Sequence, residues 1–151
     1  MYSLGRVVAN GQLLRYARGA NGYTARFEAK LAARCGAEHV LTVNSGTNAL
    51  ATALAAGGVG PGDEVLVPAY TWVASAIAPL AVGAVPVLVD IDESLTIDPA
   101  DIERKITPFT KAIIPVHMLN LVCDMDAVMD IARRRNLLVI EDACQAVGIR
   151  Y

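Results

Sequence analysis

Three features predict an α/β domain: a three-layer, mostly parallel sheet with helices on both faces. Short runs rich in Val, Ile and Leu alternate with helical stretches along the chain. Those runs are continuously apolar, as strands covered on both faces are. No repeat or low-complexity linker interrupts the pattern, and 151 residues at 54% hydrophobic content suffice for one domain with a real core. Strand–helix alternation of this kind stacks helices on the two faces of a sheet.

Residues 1–22 mix polar and apolar side chains with Gly5, Gly11, Gly19 and Gly22, and read as an extended N-terminal arm with turns. The domain itself is expected over 23–151. Tyr23 to Cys35 sets Phe27, Leu31 and Cys35 four residues apart with charges between them, an amphipathic helix that Gly36 can stop. Val40 to Val43 reads as a buried strand, and Asn48 to Ala56, with Leu50 and Leu54 one turn apart, as a helix. The glycines of 57–62 follow a helix and lack the G-x-G-x-x-G spacing, so they mark a helix stop and turn and not a dinucleotide loop.

Glu64 to Val67 is a short strand closed by Pro68, with 69–72 as its exit loop. A helix over 73–82 and a strand over 85–89 follow, the early Pro86 suiting a strand start or an edge. Asp98 is placed to cap a helix over 99–105, with Pro99 at its first position. Ala112 to Val116 is a strand that ends at His117. A helix from Asp124 or Met125 to Arg135 carries Met125, Val128, Met129 and Ala132 on one face. Its last turn holds Arg133, Arg134 and Arg135, where cations suit the dipole. Leu137 to Ile140 is the last strand, and 141–146 follow it.

A net charge of −2 gives no basic footprint for nucleic acid. Cys35, Cys123 and Cys144 are odd in number and contain no C-x-x-C pair, which points to a reducing, cytoplasmic setting. His39 and His117 are too few and too far apart for a metal cluster. The first residues show no signal-peptide core, and the apolar stretch 73–89 is broken by Pro79, Gly83 and Pro86, so no membrane segment is expected.

In open parallel sheets ligands bind beyond the carboxyl ends of the strands. Ser45, Gly46 and Thr47 lie in a small polar turn between an apolar run and a helix, a layout that aims free N–H groups at an anion. Taken alone it reads first as an ordinary helix cap. Trp72, His117, Asp142 and Gln145 also follow predicted strands. Taken singly, Trp72 suits a core, His117 a satisfied strand-end histidine, and Asp142 a helix cap or, beside Glu141, a Mg²⁺ ligand. Taken together they suit pyridoxal 5′-phosphate (PLP): a phosphate cradle, a flat apolar partner for the ring in Trp72, a carboxylate for the pyridine nitrogen in Asp142, and an amide donor for the phenolate oxygen in Gln145.

Five stretches in order, NSGTNAL, GPGDEVLVPAYTWVAS, GAVPVLVDID, ITPFTKAIIPVH and DMDAVMDIARRRNLLVIEDACQA, closely resemble the front of the DegT/DnrJ/EryC1/StrS family. The resemblance implies the front part of a PLP fold-type-I large domain and a PLP-dependent aminotransferase. Its partners would be a small-molecule amino donor and a keto-sugar or keto-cyclitol acceptor, and its full-length form a homodimer. It gives Gly46 and Thr47 the phosphate, Trp72 the ring face, Asp142 the ring nitrogen and Gln145 the phenolate oxygen. The TWVAS wording is most similar to aminocyclitol members. Leu119 and Asn120 depart from the usual aromatic residue and glycine. The family's Schiff-base lysine lies downstream of EDACQA, and none of Lys30, Lys105 and Lys111 matches it, so no catalytic residue is assigned. The chain is therefore expected to be an N-terminal fragment without the rest of the large domain and the small domain. The other readings are a sugar dehydratase of the same family and a non-catalytic cofactor-binding or docking remnant.

Overall fold

The computed structural model describes residues 2–11, 22–149 and 151. It forms two compact units, Met1–Val43 and Asn44–Tyr151.

In the first unit, Tyr2–Ala9 is a helix, α1, where the glycines suggested an extended arm. Leu4, Val7 and Val8 recur at helical spacing, and a single Gly5 does not outweigh that pattern. The rest of the expected arm, 12–21, lies outside the described residues. Helix α2, Tyr23–Cys35, matches its pattern and stops at Gly36 in the left-handed region, φ +68°. The expected strand Val40–Val43 does not form: these residues are irregular, with Leu41 and Val43 exposed. A strand exists through its ladder, and no strand pairs with this run. What holds it is the Glu28 carboxylate, which accepts from both the N–H and the hydroxyl of Thr42 at 2.8 Å.

In the second unit Ser45 caps α3, Gly46–Ala56, its hydroxyl accepting from Asn48 N–H at 3.2 Å. Then come β1 (Glu64–Pro68), α4 (Ala74–Ala81), β2 (Val85–Val89), α5 (Pro99–Lys105), β3 (Thr110–Ile113), a single 3₁₀ turn (Met118–Asn120), α6 (Met125–Arg135) and β4 (Leu138–Val139). The sheet order is β2-β1-β3-β4, and every pair is parallel. Strands β3 and β4 are shorter than their apolar runs. Pro115 cannot donate, so the ladder breaks there and resumes as a single bridge, Val116 with Asp142.

Side chains of β1 alternate between two cores. Val65 and Val67 pack with Leu50, Leu54, Ala112, Ile114 and Val116. Leu66 packs with Val89, Ile97, Ile102, Ile113, Val128 and Ile131 on the other face. Helices α3 and α4 cover one face and α5 and α6 the other, which makes the three-layer α/β arrangement. The end of α3 sits so close to β4 that a side chain at Gly57 would run into the tip of Leu138.

On the second face, the Asp101 carboxylate is buried and accepts from Asp90 N–H at 2.7 Å, with Arg104 at 2.9 Å and Lys105 at 3.0 Å beside it. The Asp90 N–H, more than the two cations, holds its pKa below the usual carboxylate value. A carboxylate lowered in the folded state stabilises the fold above its unfolded pKa and loses that contribution as pH falls through the folded value. We expect Asp101→Asn to cost ~1–3 kcal/mol at neutral pH, the scale of a compromised buried hydrogen bond. The gap to wild type should close in acid, as read by urea unfolding over a pH series. A gap independent of pH would assign the loss to packing.

Candidate functional site

Strand exits and one helix start converge on a cleft of about 280 Å³ in the second unit. The start of α3 contributes Gly46, Thr47 and Leu50; the loop after β1 contributes Thr71 and Trp72, and the start of α4 Ala74; the segments beyond β3 and β4 contribute Val116, Asp142, Cys144 and Gln145. Five of the seven residues picked out in the sequence therefore line one cleft; Ser45 and His117 do not. The Ser45 hydroxyl is committed to the cap of α3.

At the start of α3, Asn48 N–H goes to Ser45 Oγ and Ala49 N–H to the Ser45 carbonyl. The N–H groups of Gly46 and Thr47 precede the first helical hydrogen bond and are the ones a bound anion can take. Gly46 also allows a close approach, since a Cβ there would stand 3.3 Å from the Cys144 sulfur. Trp72 is no core residue: it is 72% exposed, with a flat face available to a ligand.

Asp142 is the buried charge of the cleft, 8% exposed. Its backbone is clamped between Pro115 C=O, which accepts its N–H, and His117 N–H, which donates to its carbonyl. Its Oδ2 accepts from Ser75 Oγ at 3.1 Å and its Oδ1 from Cys144 N–H at 3.2 Å. The second bond is a local turn and not a cap on a following helix. Gln145 turns its Oε1 to Leu119 N–H at 2.9 Å, which leaves the amide NH₂ as the free donor. The backbone that receives it is unusual: Leu119 and Asn120 both have positive φ, +51° and +67°, without being glycine.

His117 does not line the cleft. It is buried, its Nδ1 accepts from Cys123 N–H at 3.2 Å, and its Nε2 lies 2.9 Å from Glu141 Oε1. With Nδ1 accepting, the proton sits on Nε2 and is donated to Glu141, so this is a satisfied histidine. That pairing occupies Glu141, and among the described residues no group of three His, Cys, Asp or Glu is placed to hold a metal ion.

The Cys144 thiol is raised in pKa, first by its hydrogen bond to the Asp142 carboxylate and then by burial. We expect alkylation of Cys144 to be slow at neutral pH and to accelerate only above the ordinary thiol range. Asp142→Asn removes the anion and should move that acceleration to lower pH, followed by peptide mass spectrometry after iodoacetamide. An unchanged profile would separate the thiol from the carboxylate.

Sequence reasoning missed Thr71, Ser75 and Cys144. Ser75 had one legible signal, a lone hydroxyl on the inner face of an otherwise apolar helix. The pairing with Asp142 spans 67 positions and had none.

Residues 6–151 match the model of the DegT/DnrJ/EryC1/StrS aminotransferase family. GDP-perosamine synthase of Caulobacter vibrioides is 52% identical over 130 residues, 85% of this chain and 35% of that protein. L-glutamine:scyllo-inosose aminotransferase of Streptomyces griseus is 48% identical over 135 residues, 89% of this chain and 32% of that protein. Among solved structures, NtdA of Bacillus subtilis with bound cofactor PMP superposes with a TM-score of 0.90 at 41% identity, covering 99% of this chain and 33% of that one. The chain spans about a third of the length of these curated relatives. The match runs through every strand and helix of the second unit, and the chain belongs to the PLP-dependent DegT/DnrJ/EryC1/StrS aminotransferase family.

Proposed function

We propose that this chain supplies the cofactor-holding part of a PLP-dependent aminotransferase that places an amino group on a keto-sugar or keto-cyclitol. The observation that carries the reading is Asp142, a buried carboxylate fixed on both oxygens at the wall of a cleft whose other side is the start of α3. An anion on one side and unpaired helix N–H groups on the other match a ligand with a cationic ring nitrogen and an anionic phosphate.

When bound, PLP supplies the electron sink and carries the amino group. The chain's own residues do the rest. Gly46 and Thr47 take the phosphate through backbone N–H groups and the Thr47 hydroxyl, with Ser45 holding the turn. Trp72 covers the ring face. Asp142 keeps the ring nitrogen protonated, and the NH₂ of Gln145, oriented by Leu119 N–H, donates to the phenolate oxygen. Lys30, Lys105 and Lys111 are not among the cleft residues, and Lys105 is held by Asp101 and the Leu88 carbonyl.

The names of the two curated relatives support the acceptor class: one makes GDP-perosamine, the other is a scyllo-inosose aminotransferase that uses L-glutamine. The amino donor is a small molecule of that kind, and the full-length protein works as a homodimer. No helix among the described residues is long and apolar enough to cross a membrane, and the described cysteines are free, which suits the cytoplasm. No observation favours a dehydratase or a docking remnant over this reading.

Trp72 is the only tryptophan of the chain, so it reports its own cleft. Titration with pyridoxamine 5′-phosphate should quench its emission saturably, and Trp72→Leu should weaken binding by roughly 0.5–1.5 kcal/mol, followed calorimetrically. No saturable quench at millimolar ligand would overturn the proposal.

A further inference from the structure

Ser75 is a fully buried hydroxyl on a helix of otherwise apolar residues. A helical serine usually satisfies itself on the carbonyl one turn back. Here Ser75 reaches across to Asp142 Oδ2 at 3.1 Å, and its oxygen also lies 2.9 Å from Thr71 Oγ1. A carboxylate can only accept, so the single Ser75 proton goes to Asp142. The Ser75 oxygen must then accept from Thr71. The three groups form a directed chain, Thr71 to Ser75 to Asp142, that starts and ends at the cleft wall, since Thr71 and Asp142 both line it.

We propose that Ser75 is a positioning residue for the cofactor: it fixes the plane of the Asp142 carboxylate so that the remaining lone pairs meet the ring nitrogen. This rests on the reading of Asp142 given above. Without Ser75 the side-chain anchor that α4 gives Asp142 is lost. Oδ1 keeps its bond to Cys144 N–H, but Oδ2 is free to rotate away, and a hydrogen bond to a ring nitrogen weakens steeply with angle. The second consequence concerns Thr71. Its proton is used inside the chain, so Thr71 presents acceptor lone pairs to the cleft, and a ligand group seated against it must be a donor.

The test uses the protein carrying this chain and ¹⁵N-ring-labelled pyridoxamine 5′-phosphate. Affinity is read calorimetrically and protonation from the ring-nitrogen resonance. Ser75→Ala should weaken binding about 10–100-fold, the scale of one lost hydrogen bond to a charged group, and shift the resonance toward the unprotonated nitrogen. Ser75→Thr, which keeps the hydroxyl, should recover most of both. Ser75→Cys keeps the volume with a poor donor and should behave like Ser75→Ala, and it decides the matter if the alanine variant does not fold. A folded Ser75→Ala or Ser75→Cys protein with wild-type affinity and resonance overturns the positioning role. If instead Asp142→Asn leaves the resonance of the wild-type complex unchanged, the reading of Asp142 fails and this proposal with it. A shift with Asp142→Asn but none with the Ser75 variants removes the proposal alone.

Discussion

Asp142→Asn should lower the transamination rate of the assembled enzyme by roughly two to four orders of magnitude while leaving the fold intact. The figure follows from the ~3–5 kcal/mol cost of removing one partner from a buried charge pair. The fold should survive because the backbone of residue 142 is held by Pro115 C=O and His117 N–H, which the substitution does not touch. Asparagine keeps one acceptor oxygen for Ser75 and turns its NH₂ toward Cys144 N–H, so one local bond is lost while the backbone clamps remain. What it loses is the negative charge that the proposed function pairs with the ring nitrogen. Circular dichroism and thermal unfolding should match wild type, and the loss should appear in kcat more than in the KM of the keto acceptor. Near-normal turnover would return Asp142 to the role of a local turn residue.

Leu54→Ala should cost ~2–5 kcal/mol, the range for emptying a large buried aliphatic site. Leu54 is fully buried on α3 in the core that also holds Leu50, Val67 and Val116. Leu50 and Val116 are at once core residues and cleft residues. A cavity beneath them should therefore loosen the start of α3 as well as the sheet. We expect a lower urea midpoint with an unchanged slope, together with weaker quenching of Trp72 by pyridoxamine 5′-phosphate. A stability loss under 1 kcal/mol would mean that α3 closes over the gap.

Helices α2, α3, α5 and α6 were legible because each carries a start or a stop of its own. Ser45, Asp98 and Asp124 cap α3, α5 and α6 through their side chains, as residues of that type do wherever they precede an apolar-periodic run. Gly36 closes α2 for an equally local reason. The strands were legible as apolar runs and less so as paired segments. The run 40–43 has a strand's composition and no ladder, while the run 112–116 is cut by Pro115 although every residue in it is apolar. Residues 2–9 form α1 although Gly5 and Gly11 suggest turns, because Leu4, Val7 and Val8 recur at helical spacing.

By itself the sequence determined the layer order of the domain, the family to which the chain belongs, and which residues stand at the strand exits, because strand exits and helix starts are local events that turn chemistry and apolar runs announce. Only the tertiary structure decided what those residues do to one another. It tied His117 to Glu141 and Cys123, away from the cleft, and it turned the Gln145 oxygen to Leu119 so that its NH₂ is free. It also joined Ser75 to Asp142 across 67 positions of chain. Such contacts depend on the direction of single donors and acceptors between separate elements, and neither composition nor periodicity records the direction of a hydrogen bond.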